Sequence, residues 1–491
     1  MPFVDLVAKD DFASLWYSTN TACRNVGGFD PTRPTIVMLH PLHVDSTWLY
    51  PQLDDPRLTN KFNIITFDTR ITGASVCRFS GMYDLYVAAA DIAHAFYHLR
   101  IPPAHIFASE VFSYVALRLA ALFPDLCLSL TLCNVSAPTE PKVVFEGWEE
   151  LMRLWCYAED LESFEHACGL HLSHTAAPDV HPDLADEIVA HYQMNWPPFK
   201  RNKLITFAQV ILNRTPMNAT ELAAVRCPVL MCQADKNPIF PVIYAEQLVE
   251  GLINVPNGAV LYNVKAAIGF ITIFSASIVN KVFSTFLARQ PLTRSDLSKP
   301  TESLAEFMMS GLRRLAEFTK EPSILTRDPK SPLSFSRVTQ EVCRNQEAAV
   351  RAYEKGQRRA FSPLSTNGRP MRKYSERKDD WMQIGPDGFS YSGRHSRPAP
   401  SENKDKKPSP PPEPPKPAQV VVLEDIDIPL SEPVSSTEQA IARSRRVVVG
   451  PVSTVEQQVV KGLEIPANTG KSKGSKTATT KTQQIMRKYL S

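Results

Sequence analysis

Along the first 290 positions, short apolar runs that each close on a polar residue alternate with segments of helical spacing. Residues 35–40 (TIVMLH) and 62–68 (FNIITFD) have the composition of strands buried on both faces of a parallel sheet. Residues 88–99 (AAADIAHAFYHL) follow with helical spacing, and 105–108 resume a strand. Residues 114–123 predict a helix stopped by Pro124, and 128–134 (LSLTLCN) a further strand. Strands alternating with helices of this length imply βαβ units and a mainly parallel, doubly wound sheet. From Pro141 to about Leu222 the pattern changes to long, aromatic-rich helical segments with no strand signal. Strand signals return at 228–232 (PVLMC) and 259–264 (AVLYNV), and an apolar helix runs on to about Leu287. The longest apolar stretch, 266–279, is fourteen residues between Lys265 and Lys281. A bilayer span needs about 20, so this stretch predicts a buried strand and helix.

Beyond Gln290 the periodicity thins. Residues 301–320 keep it, with Leu304, Phe307, Met308, Leu312, Leu315 and Phe318 on one face and Ser303 and Glu306 spaced as a capping box. That helix is expected to dock back on the domain. A weaker helix is expected at about 338–355, closing a helical extension over 291–361. Residues 362–491 are dense in charge, Pro and Ser, for example 408–417 (PSPPPEPPKP), and are expected to be disordered.

Charge sharpens this division. Residues 1–290 carry 20 basic and 28 acidic side chains, net −8; residues 291–491 carry 34 and 23, net +11, with 21 of the 41 prolines. The acidic part is not a nucleic-acid binder by charge. Eight of the nine cysteines lie in it without regular spacing, which suits reduced core thiols better than a disulfide frame. Asp5, Asp10 and Asp11 precede any long apolar run, unlike a secretory signal. A cytoplasmic protein is expected, or a nuclear one if the basic clusters around Arg445 and Lys473 serve import.

His40-Pro41 after its strand, and 67–75 (FDTRITGAS), resemble the H-G and D-x-R-G-x-G-x-S segments of α/β-hydrolases. The following helices and strands extend the resemblance, and 228–241 (PVLMCQADKNPIFP) is similar to the strand and loop that carry that family's acid. The resemblance covers roughly residues 1–290. It implies an α/β-hydrolase fold with a helical lid over 141–222, and an activity resembling that of serine-type ester hydrolases. Such enzymes set a nucleophile on a G-x-S-x-G turn and pair it with a His base and an orienting acid.

Aligned from either flank, the turn here is Ala108-Ser109-Glu110-Val111-Phe112, and no glycine occurs between Gly81 and Gly147. The nucleophile position is therefore Glu110, the acid position Asn237 and the base position Gly269, all expected to be non-functional. No His lies between His191 and His395 to take the base role in another register, and the family's alternative acid site holds Asn134 and Val135. The oxyanion amides would be those of Leu42 and Val111, with His40 and Phe112 walling the former pocket. Pro41 stiffens that wall, and Phe112 is expected to fill part of the pocket. Ser109, one residue early, is expected to face away from the cleft as a helix-start hydroxyl.

Three functions remain open: a catalytically silent binder of a small ligand or protein, an active hydrolase centred on Glu110 with His40 or His43 nearby, or a scaffold with a filled pocket. No cofactor is expected. His166, Cys168, His171, His174, Asp179, His181 and Asp183 resemble metal-ligand spacing only loosely, and a solvated or half-buried lid surface is expected instead. In the tail, Val420, Val421, Val422 and Leu423 followed by acids resemble a SUMO-interacting motif, which pairs with a sheet edge.

Overall fold

The structure, a computed structural model, describes residues 2–176 and 180–377. Among these residues the centre is a sheet of nine strands: β1 Phe3–Val7, β2 Phe12–Thr19, β3 Thr35–Leu39, β4 Asn63–Phe67, β5 Val76–Cys77, β6 Ala104–Ser109, β7 Cys127–Cys133, β8 Val229–Ala234 and β9 Val260–Val264. The main order is β1-β2-β4-β3-β6-β7-β8-β9, with β5 paired to β2. Pairings from β4 through β9 are parallel, and the pairings made by β2 are antiparallel. With a long helical excursion between β7 and β8, this is the α/β-hydrolase fold.

Every residue of β3, β4, β6 and β8 is buried, as the continuous apolar runs require of strands covered on both faces. β2 alternates buried and half-buried positions, the mark of a strand with one wet face. The stretch 266–279 holds no strand: a loop leads into one helical turn and the start of a longer helix, and its apolar residues pack into the core instead of joining the sheet.

Helices α1 Leu85–Leu99 and α2 Ser113–Leu122 pack together on one face of the sheet. The insertion after β7 contributes α3 Lys142–Cys156, α4 Leu161–Thr175, α5 Pro182–Asn195 and α6 Arg201–Leu212. Helix α7 Val242–Gly251 lies after β8, and α8 Ala276–Leu287 closes the core.

The extension then wraps back around the domain. Helix α9 Leu304–Thr319 starts on the Ser303–Glu306 capping box and packs on α1 and α2, where Gly311 lies so close to the Phe123 ring that a Cβ would stand 2.4 Å from it. Helix α10 Gln340–Glu354 lies along α6 of the insertion, with Arg201 donating to the carbonyls of Tyr353 and Lys355.

Residues 362–377, expected to be disordered, instead pack on the insertion. Leu364 bridges to Pro370, Arg372 pairs with Glu162 and Glu165, and Tyr374 is buried with its hydroxyl against Gly169 of α4. Charge density does not keep this segment in solvent, because Arg372 finds two acids on the insertion and Tyr374 buries its ring there. The Val420–Leu423 motif and the basic clusters lie outside the described residues. No helix among the described residues is long and apolar enough to cross a membrane.

Candidate active site

The turn after β6 holds its first residue in an unusual conformation. Glu110 adopts φ +54°, a left-handed geometry that costs a non-glycine residue about 1–2 kcal/mol. One turn of 3-10 helix, Glu110–Phe112, then leads into α2. A sharp, strained passage from strand to helix is the geometry of a nucleophile elbow, and Glu110 sits at its strained position.

The Glu110 carboxyl is only 1% exposed, and its Oε2 accepts a hydrogen bond from the Leu42 backbone N–H at 2.8 Å. Burial pushes its pKa up to about 8, opposed by the amides of Leu42 and Phe270, which favour the charged form. At neutral pH the group is mostly a neutral acid. Oε2 accepts from Leu42, while Oε1 has no partner in hydrogen-bond geometry.

Asn237 is buried and turned on its own loop, where Oδ1 accepts from the N–H groups of Ile239 and Phe240 at 2.7 and 3.0 Å. Gly269 donates its N–H to the Ala176 carbonyl at 2.8 Å. A Cβ built on Gly269 would stand 1.5 Å from the carbonyl oxygen of Thr175. The end of helix α4 thus occupies the space that any side chain at 269 would need.

His40 is fully buried, with Nδ1 2.8 Å from the Pro41 carbonyl oxygen and Nε2 2.9 Å from Thr72 Oγ1. Burial lowers its pKa, partly offset by the charge of Asp68. His43, at φ +59°, stacks on Trp148 and places Nδ1 3.2 Å from His171 Nε2. Its pKa falls to about 3 through burial and the neighbouring His174. Neither imidazole is hydrogen-bonded to Glu110. Ser109 caps nothing: its hydroxyl is buried without a partner.

The neighbouring D-x-R segment is structural. Asp68 accepts from the N–H and Oγ of Ser46 and from the N–H of Ala74. Gly73 lies at φ +49°, where a Cβ would meet Asp68 Oδ2 at 2.0 Å. Arg70 is buried between Asp11 and Asp91, with contacts of 2.6 Å to each.

The histidines of the insertion lie in part deeper than the solvated or half-buried surface expected of them, although His166 is half-buried. His171 and His174 are buried, and only His181 and Asp183 of the set are exposed; Asp179 lies outside the described residues. Aromatic rings enclose the buried ones, with His171 edge-on to Trp148, Trp155 and Tyr192. Among the described residues no group of three or more His, Cys, Asp or Glu is arranged to hold a metal ion.

A small cavity opens beside Glu110, with about 50 Å³ for the centres of water molecules. Leu42, Val111, Trp148, His174, Ile211 and Phe240 are among the residues that line it. His40 and Phe112 do not line it; the Phe112 ring packs against His40 and Phe207 instead. The cavity is mainly apolar, but Glu110 Oε1, Ser136 Oγ and His174 Nδ1 are buried there without partners. The cavity has room for several waters, and the three unmet polar atoms belong to residues that line it. Sequence reasoning missed Trp148, Ser136 and His174 as lining residues because only the folded insertion brings Trp148 and His174 over the turn.

No family model matches the chain, and no curated protein matches it. Solved structures do. An enol-lactonase from Burkholderia xenovorans LB400 is 18% identical, with 59% of this chain and 100% of that one covered and a TM-score of 0.48. A thermophilic esterase from Thermogutta terrifontis is 17% identical over 59% of this chain and 99% of its own, with a TM-score of 0.47. MGS-M2, an α/β-hydrolase enzyme from a Medee basin deep-sea metagenome library, is 16% identical over 59% and 98%, with a TM-score of 0.49.

Proposed function

From an α/β-hydrolase fold as premise, we propose that this protein is a pseudo-hydrolase that binds a small, largely apolar ligand beside Glu110 and does not turn it over. The observation that carries this reading is the Glu110 carboxyl itself, which takes up the Leu42 amide that an oxyanion would need. A neutral carboxylic acid is a poor nucleophile. Any ester it formed would need a base-activated water for release, and a base is missing from the Gly269 position. Loss of the nucleophile or base of such a triad costs about 10⁶ in rate. Under this reading Glu110, Asn237 and Gly269 occupy triad positions without triad roles, the insertion is a lid, and Leu42 and Val111 line the cavity.

The runner-up is covalent attack by Glu110, favoured by its elbow geometry alone. A panel of activated esters and lactones separates the two. Turnover at the uncatalysed rate is expected; turnover abolished by Glu110→Ala would establish the runner-up instead. Binding is read by thermal shift against a library of small neutral compounds. A ligand at 100 times its Kd stabilises the fold by about 2.7 kcal/mol, and Val144→Trp, which fills the cavity, should remove that shift.

A further inference from the structure

The end of the described chain is fastened to the insertion by charge. Between 369 and 377 it carries Arg369, Arg372, Lys373 and Arg377 against one acid, Glu376. The insertion answers with Glu162 and Glu165 on α4 and with Asp186 near the start of α5. Arg372 pairs with Glu165, whose side chain is almost fully buried, and with Glu162 at 3.3 Å. Arg377 lies over the Tyr374 ring, 3.9 Å from its centre. One residue beyond Tyr374, Ser375 is exposed. Its N–H donates to Asp186 Oδ1 at 2.6 Å and its hydroxyl to Asp186 Oδ2 at 2.8 Å.

We propose that Ser375 is a phosphorylation site and that its modification unlatches this strap from the insertion. Three observations converge. The hydroxyl is at the surface, near the end of a strap most of whose residues are exposed or half-exposed. Arg372 and Lys373 stand three and two positions before it, the basic approach that arginine-directed protein kinases read. The Ser375–Asp186 pair can also tolerate the hydroxyl but not its phosphate ester. In the reaction, Ser375 Oγ attacks the γ-phosphorus of ATP. The Oγ–P bond forms, the bond to ADP breaks, and the hydroxyl proton passes to the kinase's base.

The product carries about −1.5 to −2 charge and no hydroxyl donor. It would stand at hydrogen-bond distance from the Asp186 carboxylate. The net +3 of residues 369–377 falls by half or more, and the attraction that holds the strap reverses locally. Lys373 and Arg377 can neutralise the new phosphate, but they belong to the strap and so cannot tie it to the insertion. The effect has a short path inward. Tyr374 lies against Gly169 in the middle of α4, and the same helix ends on His174, which lines the cavity, and Thr175, which blocks position 269.

The test uses the full chain, an arginine-directed Ser/Thr kinase and Mg-ATP, with sites mapped by mass spectrometry and helix opening read by amide hydrogen exchange. Ser375 should be modified in the wild type, with exchange across 161–175 and 182–195 faster by about tenfold and restored by phosphatase. Ser375→Ala should fold with wild-type exchange and show no acceleration after kinase treatment. Ser375→Glu should speed exchange in the same segments without any kinase. An unmodified Ser375, or a phosphorylated one whose insertion exchanges at the original rate, overturns the proposal. None of these readouts depends on whether the cavity binds a ligand or has activity.

Discussion

Glu110 links conformation, protonation and stability in one side chain. Its folded pKa of about 8 stands above the ordinary 4.5, so folding takes up a proton between those values. The stability this group contributes is fully present below pH 4.5 and is lost as pH rises toward 8, by up to about 5 kcal/mol. Glu110→Gln keeps the shape and the acceptor for Leu42 while removing the titration. Urea unfolding at pH 5 and pH 8 should show the wild type losing several kcal/mol relative to the variant; parallel losses would refute the neutral acid. That Glu110 heads the turn is legible in the sequence, because strand and helix patterns on both sides count inward to it. What it touches is not. The Leu42 amide is 68 positions away in sequence, and no local pattern records which amide faces which carboxyl.

At the scale of elements, the end of helix α4 stands where any side chain at position 269 would project. The Gly269 position is closed by the backbone of Thr175 and Ala176, so Gly269→Ala should displace the helix end and cost about 1–3 kcal/mol, read as a lower urea midpoint. Installing a triad by Glu110→Ser, Asn237→Asp and Gly269→His together should leave ester turnover at the uncatalysed rate, since the imidazole has nowhere to go. Helices with a clear apolar face and cap are legible from spacing alone. In α9 the Ser303 hydroxyl accepts from the Glu306 N–H and the Glu306 carboxylate accepts from the Ser303 N–H, all within the helix's own first turn. The histidines of the insertion are not legible in this way, because rings of Trp and Tyr from two other helices decide their burial. The strap at 362–377 escapes sequence reading for a related reason: Arg372 looks solvated until Glu162 and Glu165 of α4 are set opposite it.

For the molecule as a whole, the buried histidines set the acid limit. Burial lowers His43 and His94 to about 3, and His105, His174 and His191 to about 4. Each contributes stability that is present above the unfolded value of about 6.5 and is lost as pH falls toward the folded one. At pH 5 the loss is up to about 2 kcal/mol per histidine, in sum comparable with the roughly 5–15 kcal/mol that holds a typical domain together. Unfolding followed by tryptophan fluorescence should therefore show a steep fall in stability between pH 6.5 and 5; a flat profile there would contradict the burial of these rings. The wrapped extension has a consequence for synthesis. The insertion cannot be fastened until residues 291–377 have left the ribosome, 87 positions after the core is complete. At about 5–20 residues per second, that delay is roughly 4–17 s. During it the nascent chain presents the uncovered flanks of α1, α2 and α6 to chaperones, so the yield of folded protein should depend on translation speed through this final stretch.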